Sequence, residues 1–218
     1  VQFNGSTCLS PQPWPYCLNE EDSPGAFEKS PDAPSDVAQF EPTGIVQGVQ
    51  CTTLRTDRAS ELAMESLRAT ADYQLGLELS TGLVTGNPSL SAGTELPVVG
   101  TGYAVALAAL EQHIAENAFG RLAFVHVSPG DLTMLLAAQA IWRDGRVWRT
   151  ASGHPVVSSS GYDFIGDLHA TGEVFASVSV PETRVDIDRA INQSVAYAEQ
   201  IGLAAFDPCF NIYVEVNA

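Results

Sequence analysis

Apolar residues recur at mostly three- and four-residue steps from about Asp57 to Ser80, at Ala59, Leu62, Met64, Leu67, Ala71, Leu75 and Leu79. The spacing predicts a long helix, capped by Thr56 or Asp57 and ended by Gly82. At 1.5 Å per residue it is about 36 Å long. Residues 82–100, rich in Gly, Pro, Ser and Thr, read as a loop leading into a short apolar strand, Leu96 to Val99. A second helix is expected from about Gly102 to Ala118, closed by Gly120, and a buried strand from Leu122 to Val127. In Ser128-Pro129-Gly130-Asp131 a serine cap, a proline at the first helical position and an acid three residues on open a third helix, expected to reach about Ile141.

Beyond Trp142 the pattern turns to strands at Arg146 to Arg149, Pro155 to Ser158 and Glu173 to Val180. Residues 191–206 lack a helix cap and show a mixed apolar pattern, with Val195, Tyr197, Ile201, Leu203 and Ala205 on one parity, read as a strand. Asp207-Pro208 supplies a turn, and Phe210, Ile212, Val214 and Val216 alternate with polar neighbours in a returning strand. A strand over 191–206 spans about 50 Å at roughly 3.3 Å per residue, against a radius of gyration near 17 Å for a compact globule of this length. A flat, elongated subunit follows, and such a shape favours assembly over a solitary monomer.

Charge sharpens this picture. The 218 residues are 45% hydrophobic and hold 26 acidic against 10 basic side chains, a formal charge of −16. That balance disfavours a dedicated nucleic-acid reader or a partner of anionic membranes. The longest apolar run, Ala104 to Leu110, is too short for a membrane helix, and residues 1–30 lack the basic start and apolar core of a secretory signal. Residues 1–50 hold seven carboxylates, the single cation Lys29 and seven of the 13 prolines, the material of an extended arm. Its Phe3, Trp14, Tyr16, Phe27 and Phe40 are too apolar for a solvated linker and call for burial against another part of the molecule or another molecule.

Candidate chemistry is sparse. Cys8, Cys17, Cys51 and Cys209 permit three disulfide pairings, with Cys8–Cys17 as a local loop and Cys51–Cys209 joining strand ends; four free thiols are the alternative. His113 falls in a helix, His126 in a strand, and His154 and His169 near turns, with no metal-binding spacing among them. Gly100-Thr101-Gly102 lacks the third glycine of a dinucleotide turn, since position 105 is Val105, and reads as a helix start. Ser152-Gly153-His154 reads as a turn, and Asp186 and Asp188 as one solvated strand edge. No catalytic residue, cofactor or metal is expected.

In Phe124-Val125-His126-Val127-Ser128-Pro129, in Arg149-Thr150-Ala151-Ser152-Gly153-His154-Pro155-Val156-Val157, and in Asn192 to Gln200, Gly202 to Pro208 and Phe210 to Val216, the chain resembles the HK97-fold major capsid proteins of tailed bacteriophages. The resemblance covers about residues 53–218. It implies an α+β capsid fold with an N-terminal arm (1–19), an extended loop (20–52), a peripheral domain with a spine helix (53–100 and 184–218), closed by a β-hairpin, and an axial domain (101–183). It further implies self-assembly into hexamers and pentamers of an icosahedral shell around double-stranded DNA, without sequence-specific contact to the DNA and without a membrane. Portal and scaffolding proteins are the implied partners, the virion the location, and the host bacterial cytoplasm the place of assembly. Trp14, Tyr16, Phe27, Lys29 and Phe40 are the implied inter-subunit contacts, and an isopeptide from Lys29 to Asn192 is a conceivable cross-link. The competing readings are an encapsulin-type nanocompartment shell, an α/β nucleotide-binding enzyme using Gly100–Gly102, and a disulfide-tied secreted binding module.

Overall fold

The computed structural model describes residues 2–3, 38–51, 56–97, 100–118, 121–188, 193–208 and 210–216. The chain runs β1 (Gln2–Phe3), β2 (Ala38–Gln39), β3 (Thr43–Cys51), α1 (Thr56–Thr81), a 3-10 turn at Leu90–Ala92, β4 (Thr94–Glu95), α2 (Tyr103–Asn117), β5 (Phe124–Val127) and α3 (Pro129–Ala137). It continues through β6 (Ile141–Asp144), β7 (Val147–Thr150), β8 (Pro155–Ser158), β9 (Asp167–Thr171), β10 (Val174–Val178), β11 (Glu182–Asp188), β12 (Gln193–Phe206) and β13 (Asn211–Glu215). The α+β class is as expected.

The 14-residue strand β12 is the axis of a long sheet. The nine residues of β3 pair antiparallel along one side of it, while β11 and β10 follow one another along the other. At about 3.3 Å per residue β12 spans about 46 Å, and the 26-residue α1 about 39 Å at 1.5 Å per residue. The helix lies on one face of this sheet because its buried stripe is small: Ala59, Ala63, Leu67 and Ala71 meet Ile45, Ala196 and Ala198. Alanine against alanine lets helix and sheet backbones approach closely. Further along, Leu75 rests on Gly202, where a Cβ would stand 2.5 Å from the leucine Cδ2.

A second, seven-stranded sheet has the order β4-β13-β9-β5-β8-β7-β6. Helices α2 and α3 cover one face of it, burying Leu107, Leu110, Ile114 and Leu135 against Val125, Val127, Leu168 and Val214. The two sheets meet where the end of α1 crosses the loop after β8. There the Gly161 backbone touches the helix so closely that a Cβ would fall 1.9 Å from the Tyr73 carbonyl oxygen. Phe40, Leu79, Leu90, Tyr162, Phe164 and Phe206 fill the junction.

Several expectations change. The third helix stops at Ala137, and Gln139 turns the chain with a φ of 55° so that Ile141 opens a strand. Strand pairing is found at Thr94–Glu95, extended by the Leu96 amide to the Tyr213 carbonyl at 2.8 Å; of the strand expected at Leu96 to Val99, Val98 and Val99 lie outside the described residues. His169 lies in strand β9, not near a turn. The closing hairpin does not exist as such: β12 and β13 belong to different sheets. Beyond Phe206 the Asp207 amide bonds to the Glu173 carbonyl and the Phe210 carbonyl receives the Gly172 amide, which carries the chain into the second sheet. Accordingly β13 lies in the seven-stranded sheet and β10 in the long one. Along β12, Ser194, Ala196 and Ala198 face α1, while on the other parity Tyr197 and Ile201 are 40% and 58% exposed.

Candidate functional site

Because antiparallel partners share a face, the register of β12 with β3 puts Val195, Tyr197, Glu199 and Ile201 beside Gln50, Gly48, Val46 and Gly44 on the side away from α1. Tyr197 covers Gly48, a Cβ there lying 3.3 Å from the ring. Val46 is 54% exposed. Glu182, Arg184 and Asp186 of β11, paired to Glu199, Tyr197 and Val195, give this apolar strip a charged rim. Asp186 stands on the solvated edge expected of it.

The edges of the seven-stranded sheet are chemically distinct. At one, the β6–β7 hairpin carries Trp142, half exposed, whose indole donates to the Thr150 carbonyl at 3.2 Å. The Arg143 guanidinium lies 5.5 Å over the Trp148 ring, and Arg149 is held to Asp144 at 3.0 Å and to the Gly153 carbonyl at 2.8 Å. At the other edge Glu95, Asp167 and Glu215 gather around Tyr213, whose hydroxyl donates to Glu95 at 3.2 Å. Burial pushes the Asp167 carboxyl up, and the charges of Glu215, Asp131 and Glu95 push it further.

Two groups of buried polar side chains, around Asp131 and around His126, are hydrogen-bonded within the chain. Asp131 accepts from the Ser128 hydroxyl at 2.6 Å, from the Tyr103 hydroxyl at 2.8 Å and from the Gly166 amide at 3.1 Å, tying α3, α2 and the loop before β9 together. Burial, then the Asp131 hydrogen bond, raises Tyr103 to about 12. Ser128 is spent as a helix cap, as its sequence context implies. His126 is hydrogen-bonded to the Tyr162 hydroxyl at 2.9 Å and to the Thr171 hydroxyl at 2.8 Å, and it faces His169 across the β5–β9 pair. His154 accepts the Ala123 amide at 3.3 Å. Gly102 caps α2 with a φ of 91°, the helix-start role expected of the glycine pair. A cleft of about 880 Å³ lies between the end of α2 and the start of β13, lined by His113, Arg121, Asp207 and Phe210. Among the described residues no group of His, Cys, Asp or Glu is placed to hold a metal ion, and no helix is long and apolar enough to cross a membrane.

Of the site residues expected from sequence, Cys8, Trp14, Tyr16, Cys17, Phe27, Lys29, Asn192 and Cys209 lie outside the described residues, as does the side chain of Cys51. Cys51 pairs with Ser194 at one end of β12, whereas Pro208 follows its other end. A bridge between Cys51 and Cys209 falls on residues outside those described. Phe40, expected against a neighbour, is 4% exposed and stands edge-on to Phe206 of its own chain at 5.6 Å. The exposed strip on β12 and β3 and the charged edges escape sequence reasoning, because they depend on which parity faces α1 and on strand order.

No family model and no curated protein matches the sequence. Solved structures do. The chain is similar over its whole length to a structure from Gordonia phage Cozz, with 15% identity, 81% of that chain covered and a TM-score of 0.59. It is similar over its whole length to the capsid of an empty GTA particle, with 14% identity, 90% of that chain covered and a TM-score of 0.56. The holo-SrpI encapsulin of Synechococcus elongatus PCC 7942 matches 85% of this chain and 77% of its own, with 13% identity and a TM-score of 0.51. The long helix laid on a long sheet, joined to a seven-stranded sheet roofed by two helices, is thus the fold of HK97-type phage capsid proteins.

Proposed function

We infer that this chain is the wall protein of a viral shell, self-assembling into hexamers and pentamers of an icosahedral capsid. The observation that carries the reading is the face of the long sheet opposite α1. A folded chain that buries alanines and leaves Val46, Tyr197 and Ile201 in solvent keeps apolar surface for a partner, and its whole-length likeness to the capsid of a GTA particle supports a copy of itself as that partner. In this reading the seven-stranded sheet with α2 and α3 is the axial unit around which rings close. The long sheet with α1 is the peripheral unit. Residues 1–19 are the arm and those of 20–52 that precede β3 the extended loop, and Trp14, Tyr16, Phe27 and Lys29 meet a neighbour. The shell encloses double-stranded DNA without reading its sequence, and a net acidic wall favours its release. Scaffolding and portal proteins, assembly in a bacterial host, and any Lys29–Asn192 cross-link or Cys8–Cys17 bridge belong to the same proposal.

The test is electron microscopy of the purified full chain, with nucleic acid assayed inside the particles. Closed icosahedral particles are expected, and a homogeneous monomer contradicts the reading. The encapsulin likeness supports a second reading, a nanocompartment shell; particles from the native source filled with protein and free of DNA would favour it.

A further inference from the structure

The seven-stranded sheet carries opposite charge at its two edges. In a chain with only 10 cations, the β6–β7 hairpin holds three within seven residues, Arg143, Arg146 and Arg149. It also leaves Trp142 50% and Val147 40% exposed. Arg149 is committed to Asp144, and Arg143 donates from Nε to the Gly145 carbonyl at 3.1 Å. Arg146 is exposed and has no ion pair among the described residues. At the far edge, β4 and its neighbours β13 and β9 hold Glu95, Glu215 and Asp167 on one face, and no cation pairs with them among the described residues. Their mutual repulsion adds to burial in raising Asp167, and a cation brought from outside would relieve it.

A ring built by rotation sets one edge of each copy against the opposite edge of the next. We propose that the β6–β7 hairpin of one copy docks on the Glu95–Asp167–Glu215 corner of the adjacent copy, Arg143 and Arg146 supplying the charge and Trp142 and Val147 the apolar contact. This rests on the shell reading and names one of its interfaces. Nucleic-acid phosphates would also attract the arginines, but they leave the acidic corner unexplained, whereas a second copy satisfies both edges at once.

The experiment uses the full chain in three charge-reversed forms: Arg143→Glu with Arg146→Glu, Glu95→Arg with Glu215→Arg, and all four together. Particle yield is measured by sedimentation and electron microscopy, with circular dichroism to show that each form folds. Each pair alone should lower particle yield roughly tenfold or more, since like charges then face each other, and the fourfold form should recover it. Normal yield from either pair, or no recovery in the fourfold form, overturns the proposal. So does a loss confined to the arginine pair and accompanied by loss of nucleic acid from the particles. Should a reversed form fail to fold, Arg146→Gln and Glu95→Gln serve instead: each should make particle formation less sensitive to added salt, because the screened attraction is weaker, and an unchanged salt dependence overturns the proposal. Absence of particles from the unaltered chain is a separate result, which contradicts the shell reading itself.

Discussion

His126 and His169 stand opposite each other in the interior, linked by a run of rings: His126 to Tyr162 at 5.7 Å, Tyr162 to Phe164 at 5.1 Å, Phe164 to His169 at 4.1 Å and His169 to Tyr213 at 5.2 Å. Burial, then the charge of His169, lowers His126 to about 3; burial lowers His169 to about 4, opposed by the nearby Leu90 carbonyl. Both rings are therefore neutral in the folded chain at neutral pH. The unfolded chain, with histidines near 6.5, binds more protons below that value, so stability is full above pH 6.5 and falls as the pH drops toward 4. The loss expected by pH 5 is on the order of 2 kcal/mol per histidine, read from urea midpoints between pH 7.5 and 5. Neither ring nitrogen of His169 has a hydrogen-bond partner among the described residues. His169→Phe should therefore keep the stacking and flatten this acid slope, and an unchanged slope would show that the ring is not the source. None of this was legible in the sequence, where the histidines read as unrelated: β9 spells Asp-Leu-His-Ala-Thr, and only strand order brings two of its polar side chains to His126.

The long helix was legible because its period is strong, with Thr56–Thr81 observed against 57–80 expected. So was β12, from its length and missing cap. Its face was not, since apolar bulk usually marks the inside of a strand, whereas here Ala59, Ala63 and Ala71 demand small partners and obtain them from Ala196 and Ala198. Strands β6 and β9 lacked a clean alternation, and the proline turn at 207–208 was read as a hairpin although it leads to another sheet. The junction between the sheets depends on close backbone contact. Gly161→Ala should destabilise the fold by about 1–3 kcal/mol through overpacking against Tyr73. Gly44→Ala, with nothing within 4 Å of the new methyl, should change stability by less than about 0.5 kcal/mol. Equal effects in thermal melts would mean that the helix yields at the crossing.

At the scale of the whole molecule, the proposed shell accounts for the exposed strip and the charged sheet edges together. A small-residue interior between α1 and β12 displaces bulky side chains outward, and the resulting strip is of use when another subunit covers it. Polarised sheet edges suit repetition around a ring. Val46→Thr with Ile201→Thr keeps β-branched side chains at exposed positions, so chain stability should stay within about 0.5 kcal/mol, while particle yield should fall severalfold. Sedimentation velocity of the unaltered 23.1 kDa chain at micromolar concentration decides whether the molecule tiles at all. A discrete, fast-sedimenting closed particle of megadalton mass is expected. A single slow boundary at the mass of one chain, unchanged as concentration rises, would contradict it.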